Sequence, residues 1–181
     1  MYGMVNQAFK EFIIERAGAE AWQQIARMAA ESGDDYLPMR QYDDTQTYSL
    51  VGRSCEHLKE QADTLLQDFG GYWVQFALRS SYKNLLLSSG NNLFATLRAL
   101  DKMHYQIART MTGLKPPSFR VKDIDDRQVY LYYQSSRAGL EAFVRGLILG
   151  LGRLYSVSPI VTVYEPRRAT DGVVTFLVQI P

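Results

Sequence analysis

Cysteine is almost absent from this chain. Cys55 stands alone among 181 residues, so an internal disulfide is impossible and a multi-cysteine zinc site is excluded. An excess of one charge is also lacking. Twenty Lys and Arg face 19 Asp and Glu, for a net charge of +1. No basic surplus therefore exists to drive binding to nucleic acid or to an anionic membrane. Long apolar runs are missing too. Nothing approaches 18 uninterrupted apolar residues, and Met1 to Arg16 carries acidic residues and helical periodicity in place of an apolar signal core. No internal repeat, low-complexity tract or linker separates a second domain, so 1–181 is expected to form one domain in a cytoplasmic, soluble protein.

What is present is an apolar content of 46% with 22% charged residues, the balance of a globular chain with a sizeable core. Val5, Phe9, Phe12 and Ile13 trace the buried face of a first helix ending near Gly18. A second is expected from Ala19 to Ser32, stopped by Ser32-Gly33-Asp34-Asp35. Asp44 or Thr45 opens a third, and His57 follows on a polar segment as a surface residue. Lys59 to Leu78 reads as a longer helix broken or bent at Gly70-Gly71, and Tyr82 to Leu87 as one or two turns. Later the period changes. Pro117–Lys122, Val129–Ser135, Ile160–Tyr164 and Val173–Ile180 alternate as strands, with a helix over Gly139–Tyr155 between the second and third. Gly146, Gly150 and Gly152 on that helix allow close approach of another backbone or a flat ligand. Helices first, then a four-stranded antiparallel sheet with a crossing helix, make an α+β fold.

Two stretches carry chemistry. In Val129–Gly139 the strand period brings Tyr133, Ser135 and Arg137 to one face, at i, i+2 and i+4. A phenol, a hydroxyl and a guanidinium in a row suit a ligand with one or two carboxylates. A solvated strand edge has the same alternation, and spacing alone does not separate the two. Upstream, Asn91 or Asn92 caps a helix whose apolar stripe is Leu93, Leu97, Leu100, Ile107, Ala108 and Met111, with an end at Gly113 and Pro116. His104 lies in that stripe, four residues after Leu100. A histidine there is either a satisfied core residue or a ligand. Placed upstream of a carboxylate-binding row, it completes what a haem needs: one axial nitrogen and donors for two propionates.

The Tyr133-Gln134-Ser135-Ser136-Arg137 run resembles the Tyr-x-Ser-x-Arg signature of the haem-nitric oxide/oxygen binding (H-NOX) domain, also found in the beta subunit of soluble guanylate cyclase. Met1-Tyr2-Gly3-Met4-Val5-Asn6, Phe69-Gly70-Gly71-Tyr72-Trp73, Leu100-Asp101-Lys102-Met103-His104 and Pro116-Pro117-Ser118-Phe119-Arg120 resemble it as well, in family order across nearly the whole chain. The resemblance, to the stand-alone bacterial type, implies a helical distal part over about 1–60 and a proximal part over about 61–181, with haem buried between them. It implies iron ligation by His104 and propionates held by Tyr133, Ser135 and Arg137. The implied distal wall is Val5, Phe9, Trp73, Ala77, Phe143 and Leu147, with Leu100 and Leu140 also lining the pocket and Pro117 pressing on the porphyrin. With no Cys-x-x-Cys-His attachment, the haem is a non-covalent b type.

The resemblance further implies a sensor in place of an enzyme. NO and CO are the expected ligands, because Phe143 aligns where O₂-binding members carry a tyrosine, and a phenyl ring donates no hydrogen bond to O₂. Trp73 and Tyr2 are the alternative donors, and an O₂ sensor the alternative function. NO is expected to weaken the bond to His104 and release its helix, with output to a separate histidine kinase or cyclic-dinucleotide enzyme, since the chain ends at Pro181. A peroxidase-like haem enzyme would require a distal acid–base residue, which an apolar wall does not supply. A haem-free module for carboxylate ligands would use the same Tyr-Ser-Arg row.

Overall fold

A computed structural model describes residues 1–30, 36–111 and 113–181. The expected stop at Ser32–Asp35 lies outside those residues. The chain divides into two compact units, Met1–Phe69 and Gly70–Pro181.

The first unit is helical: α1 (Gly3–Ala17), α2 (Ala19–Met28), α3 (Asp44–Leu58) and the start of α4 (Ala62–Arg79). Gly18, at φ +90°, turns the chain between α1 and α2, in a backbone region that disfavours any side chain. Asp43 caps α3 by accepting the Thr45 N–H at 2.8 Å and the Thr45 hydroxyl at 2.6 Å; the hydroxyl first, then the N–H, hold its carboxyl below the usual carboxylate range. Phe9, Ile13, Ile25, Leu50 and Leu65 are wholly buried. Phe9 packs on Phe12 and Phe69, with ring centroids 6.1 and 5.1 Å away. Such aromatic pairs add about 0.5–1.5 kcal/mol each beyond area burial. Polar bonds thread this core: Thr47 Oγ1 donates to Asn6 Oδ1 at 2.6 Å, and Ser54 Oγ donates to the Leu50 carbonyl at 2.8 Å. His57, expected on a surface segment, is half-buried in the last turn of α3.

The second unit holds the rest of α4, then α5 (Lys83–Ser88), α6 (Leu93–Ala108), β1 (Ser118–Asp125), β2 (Gln128–Gln134), α7 (Glu141–Leu154), β3 (Ile160–Glu165) and β4 (Val173–Gln179). The sheet runs β1-β2-β4-β3 with every neighbour antiparallel. Consequently β2 and β3 are parallel with β4 between them, and α7 is the crossover that joins them. Along β2, Val129, Leu131 and Tyr133 are buried while the residues between them are more open, the period-two pattern of a sheet with one covered face. That face packs with Phe119, Val161, Val174, Phe176 and Val178 against Leu93, Leu97 and Leu100 of α6 and Val144, Ile148 and Leu151 of α7.

Two expectations need correction. Helix α4 is continuous through Gly70 and Gly71. The glycines serve contact with α7: a Cβ on Gly70 would lie 2.0 Å from the Phe143 carbonyl oxygen, and one on Gly150 would lie 3.0 Å from that of Gly71. Strand β2, expected to reach Ser135, stops at Gln134. There Ser135 Oγ accepts the Arg137 N–H at 3.1 Å, a local turn that competes with the ladder.

Candidate functional site

Helix α6 begins where its sequence says it should. Asn92 Oδ1 accepts the Ala95 N–H at 2.8 Å, and Leu93, Leu97 and Leu100 turn inward. One turn beyond Leu100 the same stripe delivers His104. Its Nδ1 lies 2.9 Å from the Leu100 carbonyl oxygen. A carbonyl only accepts, so Nδ1 carries the proton and Nε2 keeps its lone pair. Burial pushes the imidazole pKa down, outweighing the Leu100 carbonyl and the Asp101 charge, which both favour the cation. A neutral ring with a bare Nε2 is the form that binds a metal ion.

The His104 ring stacks on Phe119 of β1, with centroids 5.4 Å apart and planes 20° apart. Phe119 is the register partner of Tyr133, and their rings lie 5.3 Å apart. Sequence reasoning brought His104 and Tyr133 to one site but left out the ring that joins them. It also left out Asp101, whose Oδ1 accepts the Phe119 N–H at 2.9 Å and ties α6 to β1 one turn before His104. Phe119 sits inside the quoted Pro-Pro-Ser-Phe-Arg run, and Asp101 three residues before His104, so the signal for both was spacing.

Beyond β2 the inward alternation persists. Tyr133 is 2% exposed, Gln134 and Ser136 are open, and Ser135 and Arg137 are half-buried. Only Tyr133 is therefore strand-held, while Ser135 and Arg137 stand in a turn. Side chains shape that turn: Arg137 Nη1 donates to the Lys115 carbonyl at 3.1 Å, and Arg167 Nη2 donates to the Ser135 carbonyl at 2.7 Å. The row retains the phenol, hydroxyl and guanidinium that recognise carboxylate.

Of the expected wall, the second unit gathers Trp73, Ala77, Phe143 and Leu147 on α4 and α7. Trp73 meets Phe143 edge-on at 6.2 Å, Leu147 is 9% exposed, and Ala77 is half-buried. Leu100 is buried, and Leu140 and Pro117 are half-buried. Val5 and Phe9 belong to the first unit, where Val5 is half-buried and Phe9 lies in the aromatic cluster with Phe12 and Phe69. Among the described residues no group of three His, Cys, Asp or Glu is gathered to cage a metal by itself. The donor set, one imidazole nitrogen with a phenol on β2 and a hydroxyl and a guanidinium in the turn that follows it, thus fits a metal that brings its own macrocycle and acidic side arms.

Known proteins are similar to this chain in sequence and in fold. The chain is 30% identical over 151 residues to soluble guanylate cyclase gcy-32 of Caenorhabditis elegans, covering 82% of this chain and 22% of that protein. It is 27% identical to gcy-35 of the same organism (99% and 28% covered) and 22% identical to soluble guanylate cyclase 89Db of Drosophila melanogaster (99% and 29%). It thus spans less than a third of the length of these curated relatives. Among solved structures, an H-NOX protein from S. oneidensis in the Fe(II) state superposes with a TM-score of 0.90 at 13% identity, covering all of this chain and 96% of that one. The Fe(II) unliganded H-NOX protein from K. algicida does so at 0.86 and 18% identity, covering 100% and 97%. The α+β architecture is the H-NOX fold, and since the Haem-NO-binding family model matches residues 2–163, the chain belongs to that family.

Proposed function

We propose that this protein is a haem-based gas sensor, with a non-covalent b-type haem held through His104 and its propionates held by Tyr133, Ser135 and Arg137. The observation that carries the reading is the hydrogen bond from His104 Nδ1 to the Leu100 carbonyl, which leaves Nε2 unprotonated and able to bind iron on a half-buried ring stacked against Phe119. When bound, the haem would supply an iron centre for small diatomic gases. The chain's own residues then do the rest. Asp101 and Phe119 hold the helix that carries His104 against β1, so a change of load on the His104 ring is passed to the α6–β1 contact. The output is bounded by the difference in binding energy between the two states.

Phe143 places a ring with no hydrogen-bond donor at its position in the wall, which favours NO and CO over O₂. We assign the protein to signalling and not to catalysis, in the cytoplasm, with a histidine kinase or a cyclic-dinucleotide enzyme as the regulated partner. Among the described residues no helix is long and apolar enough to cross a membrane.

The test is a visible spectrum of the reduced, haem-supplemented protein, alone, in air and under NO or CO. A Soret band that shifts with NO and CO but not in air is expected. His104→Gly should lose haem or keep it only with added imidazole. No Soret band at all would leave the haem-free carboxylate-binding reading of the Tyr-Ser-Arg row. A persistent oxy spectrum would overturn the exclusion of O₂ and point to Trp73 or Tyr2 as donor.

A further inference from the structure

The carboxylate-binding row is held from behind by a residue of another loop. Arg167, between β3 and β4, points its guanidinium at the turn that carries Ser135 and Arg137. Its Nη2 donates to the Ser135 carbonyl at 2.7 Å, and its Nη1 lies 3.5 Å from the Arg137 carbonyl. Nη1 also lies 3.5 Å from Glu141 Oε1, on the first residue of α7. One side chain therefore touches the turn at both of its functional residues and the start of the helix that carries Phe143. Room for it comes from Gly172, at φ +68°, where a Cβ would lie 2.9 Å from Nη2. Both Arg167 and Glu141 side chains are only 27% exposed, so water screens the contact partially.

Chemistry explains why such a brace is needed. Ser135 and Arg137 lie past the last ladder bond of β2, so the sheet does not fix their direction. A two-point fork from a guanidinium onto backbone carbonyls fixes both position and tilt, which a lysine ammonium does not. Binding groups held by a second layer of hydrogen bonds lose less freedom when they meet the ligand.

We propose that Arg167 is a positioning residue for the carboxylate clamp: it orients Ser135 and Arg137 towards the ligand's carboxylates without touching the ligand. The inference rests on the haem reading above and extends it to a residue in the β3–β4 loop. In haem-loaded protein, Arg167→Ala speeds haem loss to an excess of a haem-scavenging apoprotein by about ten-fold, the worth of one charge-assisted bond. Arg167→Lys recovers only part of this, and Glu141→Gln, which relaxes one anchor of the fork, gives a smaller change of the same sign. The deciding arm replaces haem by its dimethyl ester, which has no carboxylates. There the difference between wild type and Arg167→Ala disappears, and the propionate bending band in the resonance Raman spectrum, shifted by Arg167→Ala with ordinary haem, is no longer at issue. Should Arg167→Ala fold poorly, Glu141→Gln carries the same comparison. An unchanged rate in both variants, or an acceleration that survives with the ester, would overturn the positioning role. Failure of wild type to bind haem at all would instead overturn the haem reading, so the two failures are distinct.

Discussion

The substitution Gly70→Ala puts one methyl group where α4 meets α7. Its Cβ would lie 2.0 Å from the Phe143 carbonyl oxygen and 2.8 Å from the Leu147 nitrogen. These are backbone atoms of a helix, so no rotamer can yield. Restoring even 3.0 Å requires the two backbones to part by about 1 Å, since 3.0 less 2.0 is 1.0. A radial gap of ~0.5–1 Å already forfeits a quarter to a half of each dispersion contact along the seam. Overpacking of this kind costs roughly 1–3 kcal/mol or more, and the backbone setting argues for the upper end. Against it stands the helix preference of Ala over Gly, about 1 kcal/mol. The net is a loss of roughly 2 kcal/mol, or about 4–8 °C in Tm for a chain of this size. Gly52 in α3 is the internal control: it is exposed and a Cβ there meets nothing within 4 Å. Gly52→Ala should therefore raise stability by about 0.5–1 kcal/mol. Urea and thermal unfolding by circular dichroism read both, with the denaturant slope checked for constancy. If Gly70→Ala stabilises like Gly52→Ala, the close approach of α4 and α7 is wrong. Because Trp73 and Phe143 ride on those two helices, Gly70→Ala should also change Trp73 fluorescence, whereas Gly52→Ala should not.

Arg137→Ala should speed haem loss more than Ser135→Ala, by roughly 1.5–3 kcal/mol for a charged donor against ~1 kcal/mol for a neutral one; equal loss from wild type and Arg137→Ala would remove Arg137 from the clamp. Asp101→Ala deletes the acceptor of the Phe119 N–H and should cost about 1–2 kcal/mol. Hydrogen exchange localises that effect: protection of the Phe119 amide should fall, and an unchanged amide would refute the tie between α6 and β1. For His104 the folded-state pKa lies below its unfolded value near 6.5, so below that pH the unfolded chain binds more protons. The stability from the neutral ring is complete above about pH 6.5 and is lost as pH falls through the folded value. Protein purified without haem should have a lower urea midpoint at about pH 5.5 than at about pH 7.5, with a smaller difference in His104→Asn. An equal pH difference in that variant would mean other groups carry it.

Local rules made much of this protein legible. Helix α6 was readable because both of its signals are short in range: Asn92 caps three residues ahead, and the Leu93, Leu97, Leu100, His104 stripe repeats every three or four. That Tyr133, Ser135 and Arg137 share one face could be read from alternation, although only Tyr133 lies within the strand. The alternating runs also marked the four strands, since a sheet covered on one face needs one apolar side per strand. Their order, β1-β2-β4-β3, could not be read in the same way, because pairing is decided between segments that neither run describes.

Where sequence reasoning went astray, the deciding partner lay far along the chain. Gly70 and Gly71 look like a break in α4 from their propensity, yet α7, more than 70 residues on, makes them a close helix contact. The end of β2 at Gln134 was a contest between a ladder bond and the Ser135 hydroxyl, and only the assembled sheet settles which wins. Phe119 between His104 and Tyr133 depends on the register of β1 with β2 and on the seat of α6. Arg167 has no local mark at all; it is one arginine in a charged loop until folding brings the Ser135 carbonyl within 2.7 Å. The sequence by itself determined most of the elements and their buried faces, because propensity and periodicity act over a few residues. Only the tertiary structure decided what supports the residues of the site, because hydrogen bonds and ring contacts require atoms from distant segments to meet within a few ångströms.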